Sequence, residues 1–187
     1  LIGEHNLSNV AAAIAAVEAV LADEFIQHRE AVVDTIRNFE SLPHRLENVA
    51  TVNGVTFIND SQGTIPEAAI KALHAFEQPV TLIAGGRAKL ENDDAFDELG
   101  KAIAQRAHLF ISIGEAASRL EEAARRAGFA DGKIRSARTL ENAIRIAAQE
   151  TPSGGTVVMS PACASFDQFA SYEVRGEKFR ELVKSLM

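Results

Sequence analysis

The sequence predicts an α/β fold: a Rossmann-like, mostly parallel sheet with helices on both faces, preceded by a small helical segment. Three observations carry that prediction. From His44 onward, short apolar runs such as Val80-Thr81-Leu82-Ile83-Ala84 and Thr156-Val157-Val158-Met159 alternate with stretches of helical period. Strands that read as unbroken apolar runs are buried on both faces, which is how a parallel sheet between two helical layers looks in sequence. Before His44 that grammar is absent, and two amphipathic segments stand in its place. Right-handed crossovers then restrict the sheet to few topologies.

In chain order, Ser8 is the expected N-cap of an alanine-rich helix running to about Leu21, with Val10, Ile14, Val17 and Leu21 in one stripe. A second helix is expected over about Arg29 to Phe39, ended by Leu42-Pro43. Residues 1–41 therefore form one unit and 42–187 another, and the opening Leu1-Ile2-Gly3-Glu4 is expected to be the interior of a longer protein. The second unit opens with a hairpin whose arms, Leu46 to Val52 and Val55 to Ile58, flank Asn53-Gly54, the preferred pair for a type I′ turn. Helices are expected over Pro66 to Phe76, Asp93 to Arg106, Ala116 to Ala127, Leu140 to Gln149 and Glu173 to Leu186. Strands are expected over Val80 to Ala84, Leu109 to Ile113, near Ile134, and over Thr156 to Met159.

Composition narrows the function. A formal net charge of -7 argues against a nucleic-acid partner, because a surface that tracks phosphates is basic. No apolar run approaches the roughly 20 residues that a membrane span needs. The single cysteine, Cys163, excludes an internal disulfide framework. Small apolar neighbours make it an inert buried thiol rather than a nucleophile. His28, His74 and His108 lack the spacing of a metal site.

Three loops leave the carboxyl ends of predicted strands with unusual chemistry: Asn59 to Thr64, Gly85 to Lys89 and Ser160 to Phe169. In a parallel sheet all three lie on one edge, the usual place for ligands in an open α/β fold. Thr64 can cap the helix that starts at Pro66-Glu67, whose free amides favour an anion. Gly85-Gly86 allows close backbone approach and Lys89 offers a cation, although a glycine pair followed by solvated Arg87 and Lys89 is also an ordinary turn. Ser165 either grips a carboxylate or caps a short helix containing Phe166 and Phe169. His44-Arg45 stands at the unit junction, where an arginine fork reaches a phosphate or simply supports the hairpin. Neither GxxxxGK[ST] nor GxGxxG occurs. Two other classes stay open on the residues alone: a Rossmann-like nucleotide-binding domain and a noncatalytic interaction module.

The motifs GEHNLSN (3–9), LPHRLE (42–47), NGVTFINDSQGT (53–64), LIAGGRAK (82–89) and SPACASFDQFASYEVRGEKF (160–179), in that order, resemble the C-terminal part of the Mur ligases, most closely their D-glutamate-adding members. The resemblance implies a cytoplasmic, ATP-dependent ligase of peptidoglycan biosynthesis that joins D-glutamate to UDP-N-acetylmuramoyl-L-alanine through an acyl phosphate. Residues 1–41 then correspond to the end of a central ATP-binding domain and 42–187 to the amino-acid-binding C-terminal domain. ATP and Mg serve the full-length enzyme, and neither is expected on this span alone, which is expected to be inactive by itself. By motif, Thr64, Lys89, Ser165, Phe166 and Tyr172 fall where the family holds D-glutamate, while Asn6, Asn9, His44, Arg45 and Asp60 fall on the nucleotide side. No catalytic set is complete and no metal ligand is implied. The chain departs from the family's DSKATN at Gln62 and Ile65.

Overall fold

The computed structural model describes residues 5–22, 24–39, 42–77, 79–89, 92 and 94–187. Two compact units emerge, Leu1–Ser41 and Leu42–Met187. The first holds helices α1 (His5–Leu21), α2 (Glu24–Gln27) and α3 (Arg29–Arg37). Ser8 lies inside α1 rather than at its cap, so its hydroxyl does not open the helix as expected. The four-residue α2 is too short to show periodicity in sequence.

The second unit is a six-stranded sheet in the order β1-β2-β6-β3-β4-β5, built from β1 (Glu47–Val52), β2 (Val55–Asn59), β3 (Val80–Gly85), β4 (Ala107–Ile113), β5 (Ile134–Arg138) and β6 (Thr156–Met159). β1 and β2 pair antiparallel, and the remaining pairs run parallel. Both turn residues of the hairpin have positive φ, +51° at Asn53 and +79° at Gly54, which a type I′ turn requires.

Helices α7 (Leu140–Glu150) and α8 (Tyr172–Lys184) cover one face, α7 over β4 and β5 and α8 over β1 and β2. They share a core with Phe57, Ile83, Ile111, Val157 and Met159. The strand neighbours Ile58, Leu82, Phe110 and Val158 are equally buried and point to the other face by the two-residue alternation of a strand. There α4 (Pro66–His74), α5 (Asp97–Arg106) and α6 (Ala117–Arg126) pack side by side. Burial on both faces is why the central strands lack polar alternation.

One helix start and one helix cap differ from expectation. The helix expected from Asp93 begins at Asp97. Asp93 itself lies outside the described residues, and Ala95 N and Asp97 N bond back to Asn92 and Asp94 carbonyls as turns. Asp97 and Glu98 then occupy the first turn, where negative charge suits the free amides. Helix α4 is preceded by extended Ile65 with no side-chain cap, so Thr64 is not its cap. The Thr64 hydroxyl is turned instead to Lys89.

Candidate functional site

β2, β6 and β3 are adjacent and parallel, with Asn59, Met159 and Ile83 in register, so their outgoing loops leave side by side. The backbone then stitches the loops together. Ala162 N donates to Gly63 O at 2.8 Å, Gly85 N to Pro161 O at 2.8 Å, and Arg87 and Ala164 exchange both of their backbone bonds at 2.9 and 3.0 Å. Bonds of this kind satisfy peptide groups that would be costly to leave unpaired, and they tie the three loops to one another.

Gly85 and Gly86 serve this stitching. Both have φ near +135°, a region that side chains disfavour. A Cβ at Gly85 would strike the Ile113 carbonyl, and one at Gly86 the Ala164 carbonyl. The pair therefore admits neighbouring strands and loops of the chain itself, in line with the ordinary turn that is one of the two readings of the sequence.

Beneath the edge lies a buried frame. Asn59, fully buried, donates from Nδ2 towards His44 Nδ1 (3.0 Å), Glu47 Oε2 (3.1 Å) and Gly176 O (3.3 Å), while its Oδ1 accepts from Ser61 N (3.1 Å). The missing side chain at Gly176 makes room for the His44 ring. Asp60 accepts from Leu46 N at 3.2 Å and from Ser160 Oγ at 2.6 Å. Burial pushes its carboxyl up to about 6, against the opposing pull of those two bonds and of the Arg45 charge.

Arg175 is the group that residue patterns missed. Only 1% exposed, it donates from Nε to Ser61 Oγ (3.0 Å), from Nη2 to Ser61 O (2.9 Å), and from Nη1 and Nη2 to Cys163 O (3.2 and 3.3 Å). Desolvation lowers it to about 10, so it keeps its charge at neutral pH. One guanidinium in α8 thus ties the β2 loop to the β6 loop. The RGxxF motif was visible, but nothing in its spacing announces backbone carbonyls as partners. Cys163 is buried and its thiol is pushed up to about 12 by burial, which leaves it un-ionised.

Above the frame stands an exposed rim. Lys89 Nζ donates to Thr64 Oγ1 at 2.9 Å, which joins the β3 and β2 loops. Arg45 Nε donates to Gln62 Oε1. Ser165 follows the Ala164 bridge and is buried, and its carbonyl accepts from Gln168 N and Phe169 N, closing a turn rather than a helix. Phe166 is 63% exposed. Tyr172 sets its ring edge-on to His44 at 6.2 Å between centroids, and its carbonyl accepts from Ser61 Oγ at 2.7 Å. A cation, two hydroxyls and an arginine fork therefore border one edge, a donor set suited to an anionic small molecule.

The sequence pattern described as "Mur ligase, glutamate ligase domain" matches residues 44–163. The chain belongs to the Mur ligase family. It is 41% identical over 184 residues to the UDP-N-acetylmuramoylalanine--D-glutamate ligase of Pelotomaculum thermopropionicum, covering 98% of this chain and 38% of that protein. It is 43% identical over 182 residues to the enzyme of the same name from Desulfitobacterium hafniense strain Y51, covering 97% and 38%. The chain thus spans about two fifths of these Mur ligases. Among solved structures, a UDP-N-acetylmuramoyl-L-alanyl-D-glutamate--2,6-diaminopimelate ligase shares the fold with a TM-score of 0.60 at 16% identity, over 99% of this chain and 39% of that one. A bifunctional folylpolyglutamate synthase/dihydrofolate synthase, solved with Mn, AMPPNP and L-glutamate bound, gives 0.51 at 18% identity, over 76% and 32%.

The Mur ligase motif residues divide by location. Thr64, Lys89, Ser165, Phe166 and Tyr172 lie on the three loops or at the start of α8. Arg45 joins that edge through Gln62. His44 and Asp60 are buried in the frame, with the Asp60 oxygens bonded to Leu46 N and Ser160 Oγ. Asn6 and Asn9 sit one turn apart on α1 in the other unit, with Asn9 Nδ2 donating to Asn6 Oδ1 at 3.2 Å. Among the described residues no group of three or more His, Cys, Asp or Glu side chains could hold a metal ion between them.

Proposed function

We propose that this chain is the amino-acid-binding part of an ATP-dependent ligase that adds D-glutamate to UDP-N-acetylmuramoyl-L-alanine in peptidoglycan biosynthesis, acting in the cytoplasm. The observation that carries this reading is the Lys89–Thr64 pair at 2.9 Å, exposed on the edge where the three loops leave adjacent parallel strands. The relatives named for this reaction, at about 40% identity along nearly the whole chain, favour glutamate over other anions.

On this reading Lys89 Nζ and the Thr64 hydroxyl take a carboxylate of D-glutamate, with Ser165, Phe166 and Tyr172 around it. Holding that carboxylate orients the amine of D-glutamate towards an acyl phosphate formed from the precursor's carboxylate and ATP. The amine nitrogen bonds to the acyl carbon, the carbon–oxygen bond to phosphate breaks, and the amine loses a proton as inorganic phosphate departs. The contribution of this chain is positioning and charge neutralisation. Residues 1–41 belong, on the same reading, to the end of the ATP-binding domain, with Asn6, Asn9, His44, Arg45 and Asp60 on the nucleotide side. The UDP-sugar and ATP engage mainly other parts of the full-length enzyme. Arg45, exposed and with its side chain bonded among the described residues through Nε alone, fits a phosphoryl group. The test is incorporation of labelled D-glutamate into UDP-N-acetylmuramoyl-L-alanine by the full-length protein with ATP and magnesium. ADP release matched by amide formation is expected with D-glutamate, and no D-glutamate incorporation would defeat the proposal.

A further inference from the structure

Arg45 is flanked by two strained residues. His44 and Leu46 have φ of +64° and +42°, left-handed backbone that bulky side chains rarely adopt. Such strain persists only where surrounding bonds over-determine it, and it gathers at sites that must present a group. The bonds are there. His44 N donates to Glu47 Oε2 at 3.0 Å, Arg45 N to Leu42 O at 3.1 Å, Leu46 N to Asp60 Oδ1 at 3.2 Å, and Gln62 N to His44 O at 3.1 Å. As a result His44 and Leu46 are buried while Arg45 between them is exposed. The last tie is made by a side chain, with Gln62 Oε1 accepting from Arg45 Nε. Among the described residues no hydrogen bond or ion pair takes up the two Nη groups.

From this geometry we infer that Gln62 is a positioning residue that aims the Nη fork of Arg45 at a phosphoryl group on the loop edge. An amide suits the task. It is neutral, so it fixes the guanidinium through Nε without neutralising the charge, whereas a carboxylate there would pair with the fork itself. A lysine in place of Gln62 would have no acceptor and would repel Arg45. The inference rests on the ligase reading for the origin of the phosphoryl group, but its physical content is independent of turnover.

The experiment measures the rate at which phenylglyoxal modifies Arg45, followed by peptide mass spectrometry on the full-length protein, with inorganic phosphate or D-glutamate added. Phosphate should protect Arg45 in the wild type and D-glutamate should not. In Gln62→Leu the phosphate concentration for half-protection should rise about fivefold, the equivalent of one hydrogen bond, with no shift in melting temperature. In steady-state kinetics Gln62→Leu should raise the KM for ATP by a similar factor only while Arg45 is present, and leave the KM for glutamate unchanged. Equal protection of wild type and Gln62→Leu, absence of phosphate protection in the wild type, or protection by D-glutamate instead would each overturn the inference. Absence of D-glutamate ligation with phosphate protection intact would remove the ligase reading and leave the role of Gln62 standing.

Discussion

Arg175 and Lys89 are two cations of the same loop edge used in opposite ways. Arg175 is 1% exposed and directs its donors at the Ser61 hydroxyl and at the carbonyls of Ser61 and Cys163. Lys89 is exposed and gives one bond to a hydroxyl. The difference separates building from binding. A planar fork with five donors can satisfy several fixed acceptors at once, whereas an ammonium on a flexible stem is a point charge that can follow a ligand. Removing the first should damage the fold, and removing the second should damage affinity alone.

The largest expected effect is therefore at Arg175. Arg175→Ala leaves Ser61 O and Cys163 O unsatisfied in a buried place, and each such group costs about 1–3 kcal/mol, so a loss of about 3–5 kcal/mol of stability is expected. Urea unfolding reads it. Arg175→Lys should recover only part, since one ammonium cannot span both loops. If Arg175→Ala unfolded at the wild-type urea concentration and lost only glutamate affinity, Arg175 would belong with Lys89.

Asp60 sharpens the same contrast with the opposite charge. Its carboxyl is raised from 3.8 to about 6, chiefly by desolvation, so the folded state holds the proton more tightly than the unfolded chain. The corresponding stability is fully present below the unfolded value near 3.8 and is lost as pH rises through about 6. At about 1.4 kcal/mol per unit the loss amounts to about 3 kcal/mol at most. Asn can accept from Leu46 N and donate to Ser160 Oγ in the same place without carrying charge. Asp60→Asn should therefore flatten the decline in stability between pH 4 and 7, read as the difference between urea midpoints of variant and wild type, roughly 2–3 kcal/mol across that window. Parallel profiles would show that the carboxylate is better solvated than its burial indicates.

At Lys89 the expectation reverses. Charge-assisted bonds contribute roughly 1.5–3 kcal/mol, so Lys89→Ala in the full-length ligase should raise the apparent glutamate requirement at least about tenfold. Its unfolding should stay within about 0.5 kcal/mol of wild type, as for other exposed positions. A variant with unchanged glutamate dependence would remove Lys89 from the carboxylate site.

What the sequence disclosed and what it hid follow from range. The Asn53-Gly54 turn was legible because its geometry is set by two neighbouring residues. The parallel strands were legible because burial on both faces writes an apolar run, and with them the convergence of the three loops. Thr64 was misjudged because a local rule, helix capping, competes with Lys89 arriving from 25 residues away. Gly85-Gly86 stayed open between a ligand approach and an ordinary turn because sequence shows the missing side chain and not the Ile113 and Ala164 carbonyls that fill its place. Arg175 was hidden for the same reason. Its partners lie 12 and 114 residues away, and apart from the Ser61 hydroxyl they are backbone carbonyls, which carry no residue signature.

The smallest expected effect is at Ser165, and it tests where the frame ends and the rim begins. Ser165 is 2% exposed, yet it follows directly on the Ala164–Arg87 bridge that closes the edge above Gly86. Its carbonyl, not its hydroxyl, closes the turn to Gln168 and Phe169, so the turn survives loss of the hydroxyl. A neutral hydrogen bond contributes about 1 kcal/mol, so Ser165→Ala should raise the glutamate requirement about fivefold, less than Lys89→Ala. Steady-state kinetics against glutamate at saturating ATP, alongside urea unfolding of the same variant, separates the possibilities. A rise in KM with unchanged unfolding puts the hydroxyl on the ligand. Unchanged KM with a loss of stability puts Ser165 with Arg175 in the frame and leaves the carboxylate to Lys89 and Thr64.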